Sequence, residues 1–383
     1  MAKDSKKALV PKLRFPEFRD DPEWADAKLE ELITTITPPA KLPSSNYRQI
    51  GKYPIVDQSQ QAICGWTDDA SAVIEDAWPL IVFGDHTCAL KLIRQPFAQG
   101  ADGIKIFKAR TVVSTEYLFH ALNHRPLVME DYKRHFSILK ERRVFYPGVV
   151  TGEQQKIADC LSSLEELIAA QGRKVEALKT YKRGLMQQLF PREGETLPRL
   201  RFPEFRDAPE WRNYQVGDLI NTLTPPKRLA TSSYGSFGSF PIVDQSPSPN
   251  CGWTDDEDAL VRPDQPVVIF GDHTCTVKLM CQPFAQGADG IKILTPVPSV
   301  MGAFLFQALL VRPLTSNEYK RHFSDLREKV VAVPLRDTDE QERLISVLSS
   351  LDIQIAANVR KLESLKAHKI GLTQQLFPSP EEA

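Results

Sequence analysis

The chain has 383 residues, 42% apolar and 25% charged, with 48 basic against 49 acidic side chains and a net charge of −1. This composition suits a globular protein of two or three domains and excludes a fibrous or wholly disordered chain. The charge balance excludes a general positive field, so any contact with phosphate has to come from a local basic face or from a partner.

Met1 to Lys12 is basic but lacks the apolar core of a signal peptide, and no later run approaches the roughly 18 apolar residues of a membrane span. A cytoplasmic protein is expected. The six cysteines show no C-x-x-C pair, which points to free thiols rather than a zinc ribbon or a disulfide scaffold. Leu13-Arg14-Phe15-Pro16-Glu17-Phe18, followed by Trp24, supplies apolar residues expected to seal a domain against the end of a helix. From there to residue 152, short β-favouring runs such as Leu80-Ile81-Val82-Phe83 alternate with Gly, Pro and Asp, so a strand-dominated domain with irregular loops is expected over 1–152. Glu153 to Phe190 contains no proline. Its apolar residues fall at steps of three and four: Ile157, Leu161, Leu164, Ile168, Val175, Leu178, Leu185 and Leu189. This predicts a long helix with a coiled-coil seam over 153–190, stopped by Pro191.

The whole pattern then returns at an offset of 187 residues. Leu13 to Asp20 recurs as Leu200 to Asp207, Pro54 to Ser59 as Pro241 to Ser246, and Cys64 to Asp69 as Cys251 to Asp256. Phe83 to Cys88 recurs as Phe270 to Cys275, Gln95 to Ile106 as Gln282 to Ile293, and Tyr132 to Ser137 as Tyr319 to Ser324. A second β-rich domain is thus predicted over 191–339, a second helix over 340–378 with Leu344, Leu348, Leu351, Ile355, Leu362, Leu365, Leu372 and Leu376 in its seam, and a tail over 379–383. The remaining seam positions hold Gln171 and Lys182 in one helix and Asn358 and Lys369 in the other. Polar seam residues set register at a cost in stability, so Gln171 and Asn358 are expected to face each other.

The expected fold class is α+β: two β-rich domains alternating with two long helices that pair as an antiparallel, pseudo-two-fold symmetric coiled coil. A helix of about 36 residues is roughly 50 Å long, the same order as the 34–36 Å turn between DNA half-sites. Duplex DNA carries a matching dyad, so two similar readers on one rod suit two inverted half-sites separated by unread bases.

The opening Leu13 to Phe18 with Trp24, its copy Leu200 to Phe205 with Trp211, the Pro54 to Ser59, Phe83 to Thr87 and Gly100 to Lys105 segments, and the helix ends Gln187 to Pro191 and Gln374 to Pro378 together resemble the specificity subunit of a type I restriction-modification system. The resemblance spans nearly the whole chain. It implies a non-catalytic subunit with two target recognition domains that binds double-stranded DNA, two methyltransferase subunits and restriction/translocase subunits. S-adenosylmethionine, ATP and magnesium would belong to those partners, and neither a G-x-x-x-x-G-K-[ST] loop nor a dinucleotide fingerprint is present. Family members usually carry two dissimilar recognition domains. Here they are close copies, which predicts an interrupted palindrome whose halves differ by at most the effect of changes such as Ala62-Ile63 to Pro249-Asn250 and Ala89-Leu90 to Thr276-Val277.

Candidate base contacts are Asp85, His86 and Thr87 with Asp272, His273 and Thr274, and Gln58 and Ser59 with Gln245 and Ser246; glutamine suits the N6 and N7 edge of adenine. The competing reading makes Asp85 a turn cap, His86 a satisfied loop histidine and the Gln58 segment a hydrogen-bonded turn. Lys41, Lys91 and Lys105, with Arg228, Lys278 and Lys292 at the same positions of the second copy, suit phosphate, against ordinary solvated charge. Trp66 and Trp253 suit base stacking or burial. Tyr132 to His135 and Tyr319 to His322 suit backbone contact or the start of a packing helix. The helix faces opposite the seam, including Glu165, Glu166 and Arg173, suit methyltransferase docking. A metal site or cysteine nucleophile at His86 and Cys88 lacks a third ligand and an orienting partner, and no metal is expected. Rival classes are a polypeptide-binding scaffold and a hydrolase using Asp85 and His86.

Overall fold

The computed structural model describes residues 9–378 except 77, 102, 130–133, 289 and 316–320, and leaves out the side chain of Asp337. By packing the chain forms two compact units: Met1–Gly172 with Lys361–Ala383, and Arg173–Arg360. Each unit therefore takes one β-rich domain, half of one long helix and half of the other. This partition cuts across the linear order of domain, helix, domain, helix.

In the first unit the elements are β1 (Ala25–Lys28), α1 (Leu29–Leu32), β2 (Ile33–Ile36), β3 (Tyr53–Val56), β4 (Gly65–Thr67), β5 (Val73–Ile74), β6 (Leu80–Gly84), β7 (Leu90–Ile93), β8 (Phe97–Gln99), β9 (Ile104–Ala109), α2 (Thr115–His124), α3 (Phe136–Lys140), β10 (Arg143–Tyr146) and α4 (Glu153–Leu189), of which the unit holds the first half. β1 pairs antiparallel with β10. One sheet has the order β2-β9-β6-β7 and is antiparallel throughout. The other has the order β4-β3-β8-β5, in which β3 and β8 run parallel. The run Leu80 to Gly84 is buried along its whole length, which explains why it reads as continuously apolar rather than alternating.

Helix α2 lies outside the strand-and-loop expectation for this stretch. Ser114 Oγ accepts from Tyr117 N at 3.1 Å, capping its first turn, and Tyr117, Leu118, Phe119 and Leu122 bury one face. The core joins these to Trp24, Phe83, Phe107, Phe136, Ile157, Leu161, Leu376 and Phe377. Trp24 meets Phe377 edge-on at 6.4 Å, sealing the domain onto helix ends as expected. Phe15 and Phe18 are only half-buried. The buried anchor of this segment is Arg14, just before Phe15, whose guanidinium donates to both carboxylate oxygens of Glu153 at 2.9 and 2.7 Å and to the Asp21 carbonyl at 2.8 Å.

The second unit repeats this as β11 (Arg212–Gln215), α5 (Val216–Leu219), β12 (Ile220–Leu223), β13 (Phe240–Val243), β14 (Gly252–Thr254), β15 (Leu260–Val261), β16 (Val267–Gly271), β17 (Val277–Met280), β18 (Phe284–Gln286), β19 (Ile291–Pro296), α6 (Gly302–Val311), α7 (Phe323–Glu328), β20 (Val330–Val333) and the first half of α8 (Glu340–Leu376). Its sheets are β11-β20, β12-β19-β16-β17 and β14-β13-β18-β15. Arg201 holds Glu340 at 2.8 and 2.7 Å in place of the Arg14–Glu153 pair.

The helix segments of each unit run antiparallel. In the first, Ile157 and Leu161 share a core with Leu376, and Lys369 Nζ donates to Glu165 at 2.5 Å. In the second, Met186 and Leu189 share one with Leu344 and Leu348, and Lys182 Nζ reaches Asp352 at 2.7 Å. The apolar seam positions are buried or half-buried throughout. Gln171 is buried, and Asn358 is half-buried with its amide donating to the Gln354 carbonyl at 2.7 Å.

Candidate functional site

Three segments separated in sequence meet at one corner of the first unit. β3 and β8 run parallel, so the loop after β3, with Asp57, Gln58 and Ser59, and the turn after β8, starting at Gly100, leave at the same end. Gly100 N donates to the Val56 carbonyl at 2.9 Å across that end. The β6–β7 hairpin, with Asp85, His86 and Thr87, completes the corner. Gly84 and Ala89 close it at 2.8 Å, and Cys88 sits in the left-handed region at φ 55. Thr87 Oγ1 donates to the Gln58 carbonyl at 2.5 Å, and Asp85 N donates to the Gly103 carbonyl at 2.6 Å.

Gly103 is needed there for two reasons. Its φ is +101, and a Cβ would lie 2.6 Å from Gln58 Oε1. Gln58 is thus wedged beneath the turn. Its Oε1 is buried without a hydrogen-bond partner among the described residues, an acceptor that the fold leaves unused.

The second unit builds the same corner. Thr274 Oγ1 donates to the Gln245 carbonyl at 2.7 Å, Asp272 N to the Gly290 carbonyl at 2.7 Å, and Gly290 has φ +110. Two details differ. Gln245 Oε1 accepts from His273 N at 3.3 Å, and Thr276, standing where Ala89 does, donates its hydroxyl to the Gln245 carbonyl at 2.9 Å. Burial pushes the Asp244 carboxyl up, but the hydroxyl of Ser246 at 2.6 Å and its amide more than offset this and leave it below the usual carboxylate value.

Asp85 and Asp272 do not belong to the open surface, and the expectation of base contact is corrected for both. Each is 4% exposed. Asp85 Oδ1 accepts from Phe136 N at 2.8 Å and Asp272 Oδ1 from Phe323 N at 2.9 Å, so the carboxylates cap the starts of α3 and α7. Lys91 and Lys278 are corrected in the same way. Their side chains are 9% and 11% exposed, and their ammonium groups donate inward to the carbonyls of Asp57 and Asp244 at 2.7 and 2.8 Å. Burial lowers both ammonium pKa values, with the neighbouring aspartates opposing. Neither group is presented to a phosphate.

The other candidates lie at or beside the corner. Lys41 and Arg228 are exposed and bridge Gln99 and Gln286 at the ends of β8 and β18. Lys105 is exposed on β9 opposite Phe83, whereas Lys292 lies half-buried over the Phe323 ring at 5.5 Å. Gln58, Ser59, His86, Thr87, Gln245, Ser246 and His273 are half-buried, and Thr274 is exposed. Trp66 is half-buried and Trp253 is 36% exposed. Arg134, His135, Arg321 and His322 lead into α3 and α7; Tyr132, Lys133, Tyr319 and Lys320 lie outside the described residues. Sequence reasoning missed Tyr47 and Tyr234. Their hydroxyls accept from the amides of Ala101 and Ala288 at 2.8 Å, and their rings fill the space beside Gly100 and Gly287. Their signal was the 187-residue offset they share.

Burial pushes the Cys88 thiol up and the Cys64 thiol up to about 11, the opposite of an activated nucleophile. Among the described residues no group of three or more His, Cys, Asp or Glu is placed to hold a metal, and no helix is long and apolar enough to cross a membrane.

No protein-family model and no curated protein sequence matches the chain. Solved structures do. The type I restriction-modification system S subunit from M. genitalium aligns over 97% of this chain and 100% of its own, at 17% identity and a TM-score of 0.72. The chain has the fold of a type I S subunit. A chain from structural work on complex assembly and conformational transition of the type I R-M system aligns over 93% and 98% at 16% identity and TM-score 0.48, and the HsdS subunit from Thermoanaerobacter tengcongensis over 92% and 96% at 15% and 0.38. In the S-subunit fold of this chain, the loop corner of each β-rich domain joins the loop after one strand, a hairpin and a turn through side chains.

Proposed function

We propose that this chain is the specificity subunit of a cytoplasmic type I restriction-modification complex, a non-catalytic reader that binds double-stranded DNA through the loop corner of each unit. Gln58, Ser59, His86 and Thr87, with Gln245, Ser246, His273 and Thr274, take base edges; Lys41, Lys105, Arg228 and Lys292 take phosphate. Two methyltransferase subunits modify adenine in the target, and restriction/translocase subunits use ATP and magnesium; S-adenosylmethionine likewise serves the partners. Gln171 and Asn358 set the register in which the long helices pair.

The observation that carries this reading is the corner itself, built twice from nearly the same residues on an S-subunit fold. Two like readers call for two like half-sites, so the target is an interrupted palindrome. Mapping of methylated adenines in the source genome is expected to show half-sites that are reverse complements; unrelated half-sites would defeat the palindrome. Gel retardation with the methyltransferase subunits present is expected to be sequence-dependent with a steep salt slope. Binding indifferent to sequence, or to Gln58→Ala with Gln245→Ala, would defeat the DNA reading.

A further inference from the structure

The loop between Tyr47 and Tyr53, leading into β3, carries at its apex an apolar side chain that the fold leaves uncovered. Ile50 is 85% exposed, and Phe237, at the same place in the second unit, is 83% exposed. The residues around the apex change between the copies: Arg48-Gln49 becomes Gly235-Ser236, and Lys52 becomes Ser239. A bulky apolar residue is kept at the apex through all of these changes. Scattered exposed apolar side chains need no explanation, but one held in solvent at the same register of both copies gains the fold nothing.

The loop is pinned at both ends. Arg48 and Trp66 of β4 exchange backbone hydrogen bonds at 3.0 and 2.9 Å, and Lys52 N donates to Asp68 Oδ1 at 2.9 Å. Gly51 packs so closely on β4 that a Cβ would lie 2.9 Å from Thr67 N. In the second unit Gly235 and Trp253 exchange bonds at 2.9 Å each, Ser239 N donates to Asp255 Oδ1 at 2.8 Å, and a Cβ on Gly238 would lie 2.9 Å from Thr254 N. The apex is therefore presented ready-made, with little ordering left for binding to impose. It also lies near the loop corner. The Tyr47 hydroxyl accepts from Ala101 N in the corner's turn at 2.8 Å, and three residues of chain keep Ile50 within about 11 Å of the Tyr47 Cα. The contact of Tyr234 with Ala288 N at 2.8 Å ties Phe237 to the second corner in the same way.

We infer that Ile50 and Phe237 are wedges that enter a base step of the DNA beside the bases met by each corner. The inference rests on the DNA reading proposed above and adds to it a deformation of the duplex. Isoleucine and phenylalanine are among the side chains that unstack a step and kink the helix in this way. A lone apex ringed by Arg48, Gln49, Gly51 and Lys52 suits the gap between two bases, whereas a stable protein interface covers on the order of 800 Å² per partner. The carboxylates beside the loop are engaged: Asp68 and Asp255 each take a loop amide, and Asp68 also takes the Arg48 guanidinium at 2.8 Å. The wedges touch no base edge and so select no base. They loosen the stack from which a methyltransferase has to extrude adenine.

The test uses the full chain with its methyltransferase subunits on duplexes of the mapped target, with thymine placed in turn at each unread position. Permanganate, which oxidises unstacked thymine, reports the opened steps. Wild type is expected to show a hyper-reactive thymine beside each half-site, one lost in Ile50→Ala and the other in Phe237→Ala, while Ile50→Phe keeps both. Affinity should fall by about tenfold for Phe237→Ala, with the same bases still required. Both side chains are too exposed for their loss to unfold the chain. Reactivity that survives both alanine changes, or that is absent from wild type while sequence-dependent binding persists, overturns the wedge and leaves the DNA reading standing. Wild-type binding indifferent to sequence defeats both. Alanine variants that no longer assemble with the methyltransferase subunits in gel filtration also overturn the inference and assign the apex to a protein interface.

Discussion

Gly103 shows how a single backbone conformation sets the candidate site. Its φ of +101 and the 2.6 Å between a Cβ there and Gln58 Oε1 mean that Gly103→Ala must both strain the turn and displace the amide. A cost of about 1–3 kcal/mol is expected, together with lost discrimination at one half-site. Gly148→Ala, where a Cβ meets nothing within 4 Å, should leave both unchanged. Urea melts and a methylation assay on the two variants separate strain from general intolerance. Asp85 gives the complementary case. Since Oδ1 accepts from Phe136 N at 2.8 Å, Asp85→Ala should cost about 1–2 kcal/mol, whereas Asp85→Asn keeps an acceptor and should lie close to wild type. Equal losses in the two would show that the helix cap is not what the carboxylate does. The residue types at this corner were legible in the sequence, because Gly, Asp, Gln and Thr bracket an apolar strand. Which of them face outward was not, because burial of Asp85 and Lys91 depends on α3 and on the Asp57 carbonyl, partners distant in sequence.

At the scale of elements, the long helices were legible because their seam repeats without proline, while α2 was not, since ten residues beside many short strands give weak periodicity. The anchoring of α4 was hidden too. Arg14 and Glu153 are 139 positions apart and buried at 6% and 0% side-chain exposure. Glu153→Ala strands a buried guanidinium and should cost about 3–5 kcal/mol, whereas Arg14→Met with Glu153→Met should cost less than the single change; additive losses in a double-mutant cycle would contradict this. Further along, His120 Nε2 contacts Ser162 Oγ at 3.0 Å, and Nδ1 lies 3.8 Å from Glu165, with Lys369, Arg94 and Glu116 nearby. Burial lowers its pKa from 6.5 to about 4, Glu165 opposing and Lys369 and Arg94 adding to the shift. The folded state therefore binds fewer protons than the unfolded chain between those values. The associated stability is present above pH 6.5 and is lost as pH falls towards 4, by about 2 kcal/mol at pH 5. Gln307 occupies the matching position in the second unit, so His120→Gln should flatten the decline between pH 7.5 and 5 in denaturant melts. An unchanged slope would assign the acid sensitivity elsewhere.

For the whole molecule, the decisive feature is how little the two copies differ where they would read. Asp57-Gln58-Ser59 and Gly84 to Thr87 are repeated without change, and the variation concentrates in the four residues after Ser59, where Gln60-Gln61-Ala62-Ile63 becomes Pro247-Ser248-Pro249-Asn250, and at Ala89 against Thr276. The shared residues bind to one another: Thr87 and Thr274 hold the Gln58 and Gln245 carbonyls, and Gly103 and Gly290 sit against the amides. The variable residues are mostly exposed loop, so they can change without disturbing that frame. Any difference between half-sites must then come from this loop and from Thr276. Replacing Gln60 to Ile63 by Pro-Ser-Pro-Asn and Ala89 by Thr should make the two readers equivalent. The methylated target of that variant should become a fully symmetric interrupted palindrome, read by sequencing that detects modified adenine. Should any base that differs between the wild-type half-sites still differ after the exchange, that base is read by some part of each unit other than this corner.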